Sequence, residues 1–234
     1  MKAWLNFNPS RKRLEDFLTR CAQSVPPGGR VLDAGAGETY YRALFSQARY
    51  HAADFAKVGS KVYGRLDYVC DLANIPAQDG VYDVVLCTQV LEHLPEPRQA
   101  LEEIYRVLKP GGRLWFSAPL FFPEHEIPFD FFRYTRYGLE HLLRSAGFRV
   151  CELEGMEGYY GALSFQLREA FRSLPSERKY YGPGLGGVLS FAFAALLKPL
   201  FFALSLFFAR LEMRARFTRA GLSKNYCGVA EKPL

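Results

Sequence analysis

The sequence predicts an α/β protein, a doubly wound and mostly parallel sheet with helices on both faces, carrying a hydrophobic helical insertion ahead of its last strand. Three observations support this. Strand and helix patterns alternate from Arg30 to Leu153. A glycine pair, Gly35 and Gly37, directly follows the first apolar strand. An apolar run from Leu185 to Ala209 then breaks the alternation before a strand-like ending at Tyr226–Ala230. At 234 residues and 49% hydrophobic, the chain holds one such domain with a large insertion, and two full domains do not fit. The organisation expected is a core at 1–154, an insertion at 155–225 and a final core strand at 226–234.

Asn8 and Pro9 suit a helix start, and Leu14, Phe17, Leu18 and Cys21 follow at helical spacing until Pro26, Pro27 and Gly28 stop it. Arg30–Ala34 reads as a strand, residues 41–47 as a helix, and Tyr50–Asp54 and Tyr68–Cys70 as strands. Val81–Cys87 is a buried strand. Pro97–Leu108 is a helix with Leu101, Ile104 and Leu108 on one face, closed by Lys109, Pro110 and Gly111. Arg113–Ala118, a helix at 137–146 and Phe148–Leu153 complete the alternation.

The chemistry begins at Asp33, Gly35 and Gly37, where the glycines permit a tight turn and close approach of a ligand to the backbone. Tyr40 stands where a dinucleotide fingerprint needs Gly or Ala, which disfavours an NAD-binding pyrophosphate turn. Asp54 ends the next strand, where doubly wound folds place an acid for ribose hydroxyls; the plain alternative is a helix cap or loop carboxylate. Asp71 and Leu72 end the third strand as an acceptor and an apolar face for a base, although Asp71 also reads as a turn residue.

These residues, with the runs VLDAGAGE at 31–38, YDVVLCTQVLEHLPEP at 82–97 and LEEIYRVLKPGGRLWFSAP at 101–119, resemble the methyltransferase type 11 group of class I S-adenosylmethionine-dependent enzymes. The resemblance covers roughly residues 9–153. It implies a Rossmann-like methyltransferase fold of seven strands, the last antiparallel, with strands six and seven at Phe148–Leu153 and Tyr226–Ala230 and the insertion between them. It also implies S-adenosyl-L-methionine as cofactor. Asp33, Gly35 and Gly37 would line its methionine end, Asp54 its ribose, and Asp71 and Leu72 its adenine, with Gln89 and Val90 flanking it. Methyl transfer from a sulfonium asks mainly for in-line positioning, with a base only where the acceptor keeps its proton. His93 is the candidate for that proton, the alternative being a structural histidine of the LEHL turn. His125, Asp130, Arg133 and Tyr134 are candidate substrate-binding residues in a loop that otherwise reads as an aromatic lid.

Charge is divided along the chain: residues 1–171 carry net −1 and residues 172–234 net +7. The apolar run is long enough for one bilayer crossing. If both flanking strands share a sheet, however, the insertion must return to the side it left, and 25 residues cannot cross twice. The options are a hairpin turning at Lys198 and Pro199, helices lying on a membrane, or a buried lid or dimer interface. Arg178, Lys179, Arg210, Arg214, Arg216 and Arg219 flank the run as residues that meet anionic headgroups do, so surface attachment through 185–219 is the reading taken. The dominance of apolar side chains argues against nucleic acid. Five scattered cysteines without a CxxC pair give no disulfide framework or zinc site, and no metal is expected. The N-terminus shows no export signal, so the expected location is cytoplasmic, or peripheral on the cytoplasmic face of the membrane. Methyl transfer to a small or lipid-linked acceptor is the function expected. The rivals are a non-catalytic cofactor-binding or membrane-associated module and, less favoured, an NAD-dependent oxidoreductase.

Overall fold

A computed structural model describes residues 8–218 and 221–234. Arg219 lies outside the described residues. The chain falls into two compact units, one formed by Arg13–Met156 with Lys224–Leu234, the other by Glu157–Ser223 with the described residues up to Lys12.

The first unit is the sheet domain. Its strands are β1 (Arg30–Ala34), β2 (Arg49–Asp54), β3 (Tyr68–Val69), β4 (Tyr82–Thr88), β5 (Leu108–Pro119), β6 (Arg149–Gly155) and β7 (Asn225–Glu231). They lie in the order β3-β2-β1-β4-β5-β7-β6. β7 runs antiparallel to both neighbours, while the other pairings are parallel. This is the seven-stranded arrangement the sequence implies, with the insertion between its last two strands. Side-chain alternation along each strand feeds two cores. Leu32, Val85, Leu114 and Phe116 pack with Leu101 and Ile104 of α2 (Pro97–Val107) and with Leu139 and Leu143 of α3 (Arg136–Ser145). On the other face Val31, Val84, Leu86 and Trp115 meet Phe17, Leu18 and Cys21 of α1 (Pro9–Ser24), with the Phe17 and Trp115 rings 4.9 Å apart.

Two elements differ from expectation. The helix predicted at 41–47 is one 3₁₀ turn, Arg42–Phe45. Only 14 residues separate β1 from β2, and the glycine turn, continued by Thr39 at φ 54°, takes up the first of them. The LKPGG segment, read as a helix ending, belongs instead to β5. Leu108 pairs with Tyr82 before a register shift, after which Arg113 aligns with Val84.

The insertion consists of α4 (Tyr159–Ser173), a short turn at Arg178–Tyr181 and α5 (Gly184–Arg214). No hairpin turn occurs at Lys198 and Pro199. The helix continues through Pro199 for 31 residues, about 46 Å at 1.5 Å per residue. Leu- and Ala-rich sequence on both sides carries it past the missing N–H. Lys198 instead donates to Leu174 O at 2.9 Å and Ser176 Oγ at 2.6 Å. Of the most apolar 18-residue window of α5, 11% is buried.

α4 covers the C-terminal half of α5. Ser164 Oγ donates to Ser205 O at 2.7 Å, and the Phe171 and Phe202 rings lie 5.1 Å apart. Fully buried Glu212 accepts from Gly158 N at 2.9 Å and Gly161 N at 3.0 Å, placing a carboxylate at the start of α4 where free N–H groups and the helix dipole favour one. Gly161 leaves the room for it, since a Cβ there would stand 3.1 Å from Glu212 Cγ. Glu212→Ala strands both donors and is expected to destabilise the helix pair by about 2–4 kcal/mol. Faster proteolytic cleavage between α4 and α5 is the readout, and an unchanged cleavage rate would contradict this assignment.

Candidate functional site

The order β3-β2-β1-β4 places the chain reversal between β1 and β4, and a cleft opens at the carboxyl ends of these strands, where open α/β sheets bind ligands. It has a volume of about 210 Å³ and is lined by Gly35, Asp54, Phe55, Lys61, Asp71, Leu72, Gln89, Val90, His93, Glu126, Phe129 and Phe131 among others. Gly35 sits at φ +87°, and a Cβ there would approach Val90 Cγ2 to 2.3 Å. That turn therefore admits only glycine.

Asp54 is 4% exposed and fixed at both oxygens: Oδ2 accepts from Gly37 N at 2.9 Å and Oδ1 from Ala56 N at 3.1 Å. Each carboxylate oxygen keeps a further lone pair for a ligand hydroxyl. Asp71 Oδ1 accepts from Ala73 N at 2.9 Å, while Leu72 is buried beside it. Gln89, at φ 56°, anchors its side chain by donating from Nε2 to Ser117 Oγ at 3.1 Å. Ala56, Gln89 and Glu126 all hold positive φ values at or next to the cleft, the kind of local strain that gathers at ligand sites.

The structure brings Gly35, Asp54, Asp71, Leu72, Gln89, Val90 and His93 together on the cleft. Gly37 contributes its N–H to Asp54. Asp33 is turned elsewhere: its carboxylate accepts a hydrogen bond from Tyr50 Oη, and burial pushes its pKa up to about 6. His125, Asp130, Arg133 and Tyr134 lie in the loop after β5 and hold it in shape. Arg133 donates to both Asp130 oxygens, at 2.6 and 2.8 Å, which keeps the Asp130 carboxyl well below the usual range. Tyr134 is buried and donates to Leu91 O at 2.9 Å. Phe131 N donates to Glu92 O at 2.8 Å and clasps the loop to the one-turn helix Leu91–His93.

Sequence reasoning missed Lys61 and Glu126, which form an ion pair at 3.0 Å along the cleft. Glu126 lies within the flagged loop, but nothing in its spacing separates it from its neighbours. Lys61 lies in the β2–β3 connection, which carries no pattern. That connection is pinned to the glycine turn by Gly64 N donating to Gly37 O at 2.9 Å. The closeness demands glycine at 64, where a Cβ would stand 2.6 Å from Glu38 O.

The site fits an adenosyl sulfonium cofactor on its own chemistry. A buried, pre-oriented carboxylate suits a ribose diol, Leu72, Phe55 and Val90 offer apolar faces to a base, and the side-chain-free turn at Gly35 admits a chain against the backbone.

Comparison with known proteins agrees. Residues 32–116 match the family model of the methyltransferase domain. A protein of Mycolicibacterium smegmatis described as a probable S-adenosylmethionine-dependent methyltransferase is 35% identical over 157 residues, 61% of this chain and 58% of that one. The ubiquinone/menaquinone biosynthesis C-methyltransferase UbiE of Methylobacterium nodulans is 29% identical over 197 residues, 83% of this chain and 68% of that one. The chain thus spans about three fifths of the first relative's length. Among solved structures, phosphoethanolamine N-methyltransferase 2 of Haemonchus contortus, in complex with S-adenosyl-L-methionine, superposes with a TM-score of 0.55 at 18% identity, over 96% of this chain and 53% of that one. The cyclase SpnF superposes with a TM-score of 0.57 at 20% identity, over 95% and 80%. Residues 32–116 are thus similar to a methyltransferase domain, and the seven-stranded sheet with an antiparallel last strand that holds them is the fold of the solved methyltransferases it resembles.

Proposed function

We propose that the protein transfers the methyl group of S-adenosylmethionine to a small or lipid-linked acceptor, and that its insertion holds it on an anionic membrane surface. The observation that carries the first part is the convergence of the Gly35 turn, Asp54 and Leu72 on one cleft at the carboxyl ends of β1, β2 and β4. The bound cofactor supplies the methyl group. The protein's share is to orient acceptor and donor and to exclude water, which Phe129 and Phe131 on the cleft wall serve. An apolar acceptor is favoured by those rings and by the likeness to UbiE, which is named for quinone biosynthesis.

The membrane reading rests on α5. Its apolar window has a mean hydropathy of 2.0, and Leu185, Val188, Leu189, Phe193, Leu196 and Leu200 are all exposed along its N-terminal half. An apolar surface of that extent on a helix flanked by Arg178, Lys179, Arg210, Arg214 and Arg216 suits a helix lying in the headgroup boundary. Flotation with vesicles is expected to recover the protein with phosphatidylglycerol and far less with phosphatidylcholine alone. Replacing Leu189, Phe193 and Leu196 by Ser is expected to abolish recovery, and recovery equal to wild type would overturn the assignment.

Enzymatic turnover is tested with methyl-labelled S-adenosylmethionine and a total cell extract. Label in the organic phase marks a lipid-linked or quinone-like acceptor, and label in the aqueous phase a soluble one. No transfer by a cofactor-binding protein would favour the non-catalytic module. SpnF, a cyclase on this fold, shows that the architecture alone does not decide the reaction.

A further inference from the structure

Glu92 is an acid in an apolar place, where burial pushes its pKa up to about 8. It is completely buried, and among the described residues neither carboxylate oxygen has a hydrogen-bond partner on another residue, its own backbone N–H being the group that reaches it. A buried carboxyl left in that state costs several kcal/mol unless a proton or a cation meets it. Arg133 acts on it only at a distance, because its own N–H groups go to both oxygens of Asp130 and to the carbonyls of Phe122, Pro123 and Phe132.

Two imidazoles face the same spot. Ligand atoms of Glu92, His93 and His125 lie within 4.8 Å of one another, and the two rings stand edge to face with centroids 4.6 Å apart. His93 Nδ1 lies 2.6 Å from Phe129 O, so that nitrogen carries the proton and Nε2 keeps its lone pair. This Nε2 stands 3.9 Å from Glu92 Oε1 and 3.9 Å from Glu126 Oε2. His125 repeats the pattern, with Nδ1 at 3.2 Å from Pro123 O and 3.5 Å from Asp130 Oδ2, which leaves its Nε2 for a ligand. An imidazole oriented by an Nδ1–H bond to a carbonyl or carboxylate, with its other nitrogen turned to a carboxylate cluster, is the arrangement that metal-binding histidines adopt.

We propose that Glu92, His93 and His125 bind a divalent first-row transition-metal ion at the edge of the cofactor cleft, with Glu126 as a further oxygen on the cleft side. Two imidazole nitrogens with a carboxylate favour an ion of the Zn²⁺, Co²⁺ or Mn²⁺ type over Ca²⁺, which takes oxygen ligands. Bonds of about 2.0–2.1 Å at tetrahedral angles put ligands about 3.4 Å apart, so small side-chain rotations close the set. The cluster contains no cysteine, which is why a survey of cysteine spacing passes over it. The ion takes up the Nε2 lone pair of His93 that proton acceptance would need, and Glu126 fills the fourth tetrahedral position on the cleft side, where His93 and Glu126 both line the wall.

The test is titration of the full chain with Co²⁺, read by visible absorption, with bound Zn²⁺ counted by elemental analysis after dialysis. S-adenosylmethionine is left out, so the result does not depend on the methyl-transfer reading. One equivalent is expected in the wild type, with an absorption that reports imidazole ligation. Glu92→Gln and His125→Ala are each expected to weaken binding at least tenfold, with the melting temperature of the metal-free protein held or raised in Glu92→Gln. Failure of the folded wild type to retain either ion, or equal retention by the Glu92→Gln and His125→Ala double variant, would overturn the proposal.

Discussion

Asp54→Ala is expected to weaken S-adenosylmethionine binding by about 1–3 kcal/mol, roughly fivefold to more than a hundredfold in Kd. The carboxylate is buried and already fixed by Gly37 N and Ala56 N, so its remaining lone pairs meet a ribose diol without reorganisation. The substitution removes those acceptors and also releases the Gly37 N–H, loosening the turn that admits the cofactor. Asp54→Asn separates the two effects. It keeps one oxygen for Gly37 N but loses the charge and one acceptor, and an intermediate affinity is expected. Calorimetric titration of both variants is the measurement, and wild-type affinity in both would show that Asp54 is structural.

The second large effect is a pH dependence of stability. Burial raises the Asp33 pKa to about 6, from an ordinary value of 3.8, against the opposing hydrogen bond from Tyr50. The folded state therefore binds this proton more tightly than the unfolded state does. Its contribution is fully present below about pH 4 and is lost as pH rises through 6, about 3 kcal/mol in all. Asp33→Asn removes this titration while leaving an oxygen for Tyr50 Oη. The variant is expected to be more stable than wild type at pH 7.5, with the advantage vanishing toward pH 4. Urea midpoints at the two pH values check this, and a pH-independent difference would contradict it.

Much of the fold was legible because local and global signals agree. The apolar run at 31–34 and the helical spacing of Leu101 and Ile104 each fix which face is buried, and those residues form one core in the structure. The misread elements are those that tertiary context decides. Leu108–Gly112 carries a helix-ending signature, yet Leu108 pairs with Tyr82 in the sheet. Lys198 and Pro199 look like a turn, but an uninterrupted α5 keeps its backbone bonds and Lys198 finds partners at 174 and 176.

At the site, residues tied to strand ends were readable, because the strand order sets where Gly35, Asp54 and Asp71 arrive. The loop after β5 was not. Its polar density drew attention to Asp130 and Arg133, which satisfy each other, while Glu126 on the cleft wall and the buried Glu92 beneath carry the electrostatic interest. Partner choice among close polar groups depends on rotamers, and spacing along the chain does not encode them.

The cleft at the ends of β1, β2 and β4 is the place where S-adenosylmethionine is expected to bind. The most direct test is calorimetric titration of the wild-type protein with S-adenosylmethionine and, separately, with NAD. Saturable micromolar binding of one S-adenosylmethionine per chain, and none of NAD, is the expected result. A folded sample that gives no heat at millimolar S-adenosylmethionine, or that binds NAD as tightly, would contradict it.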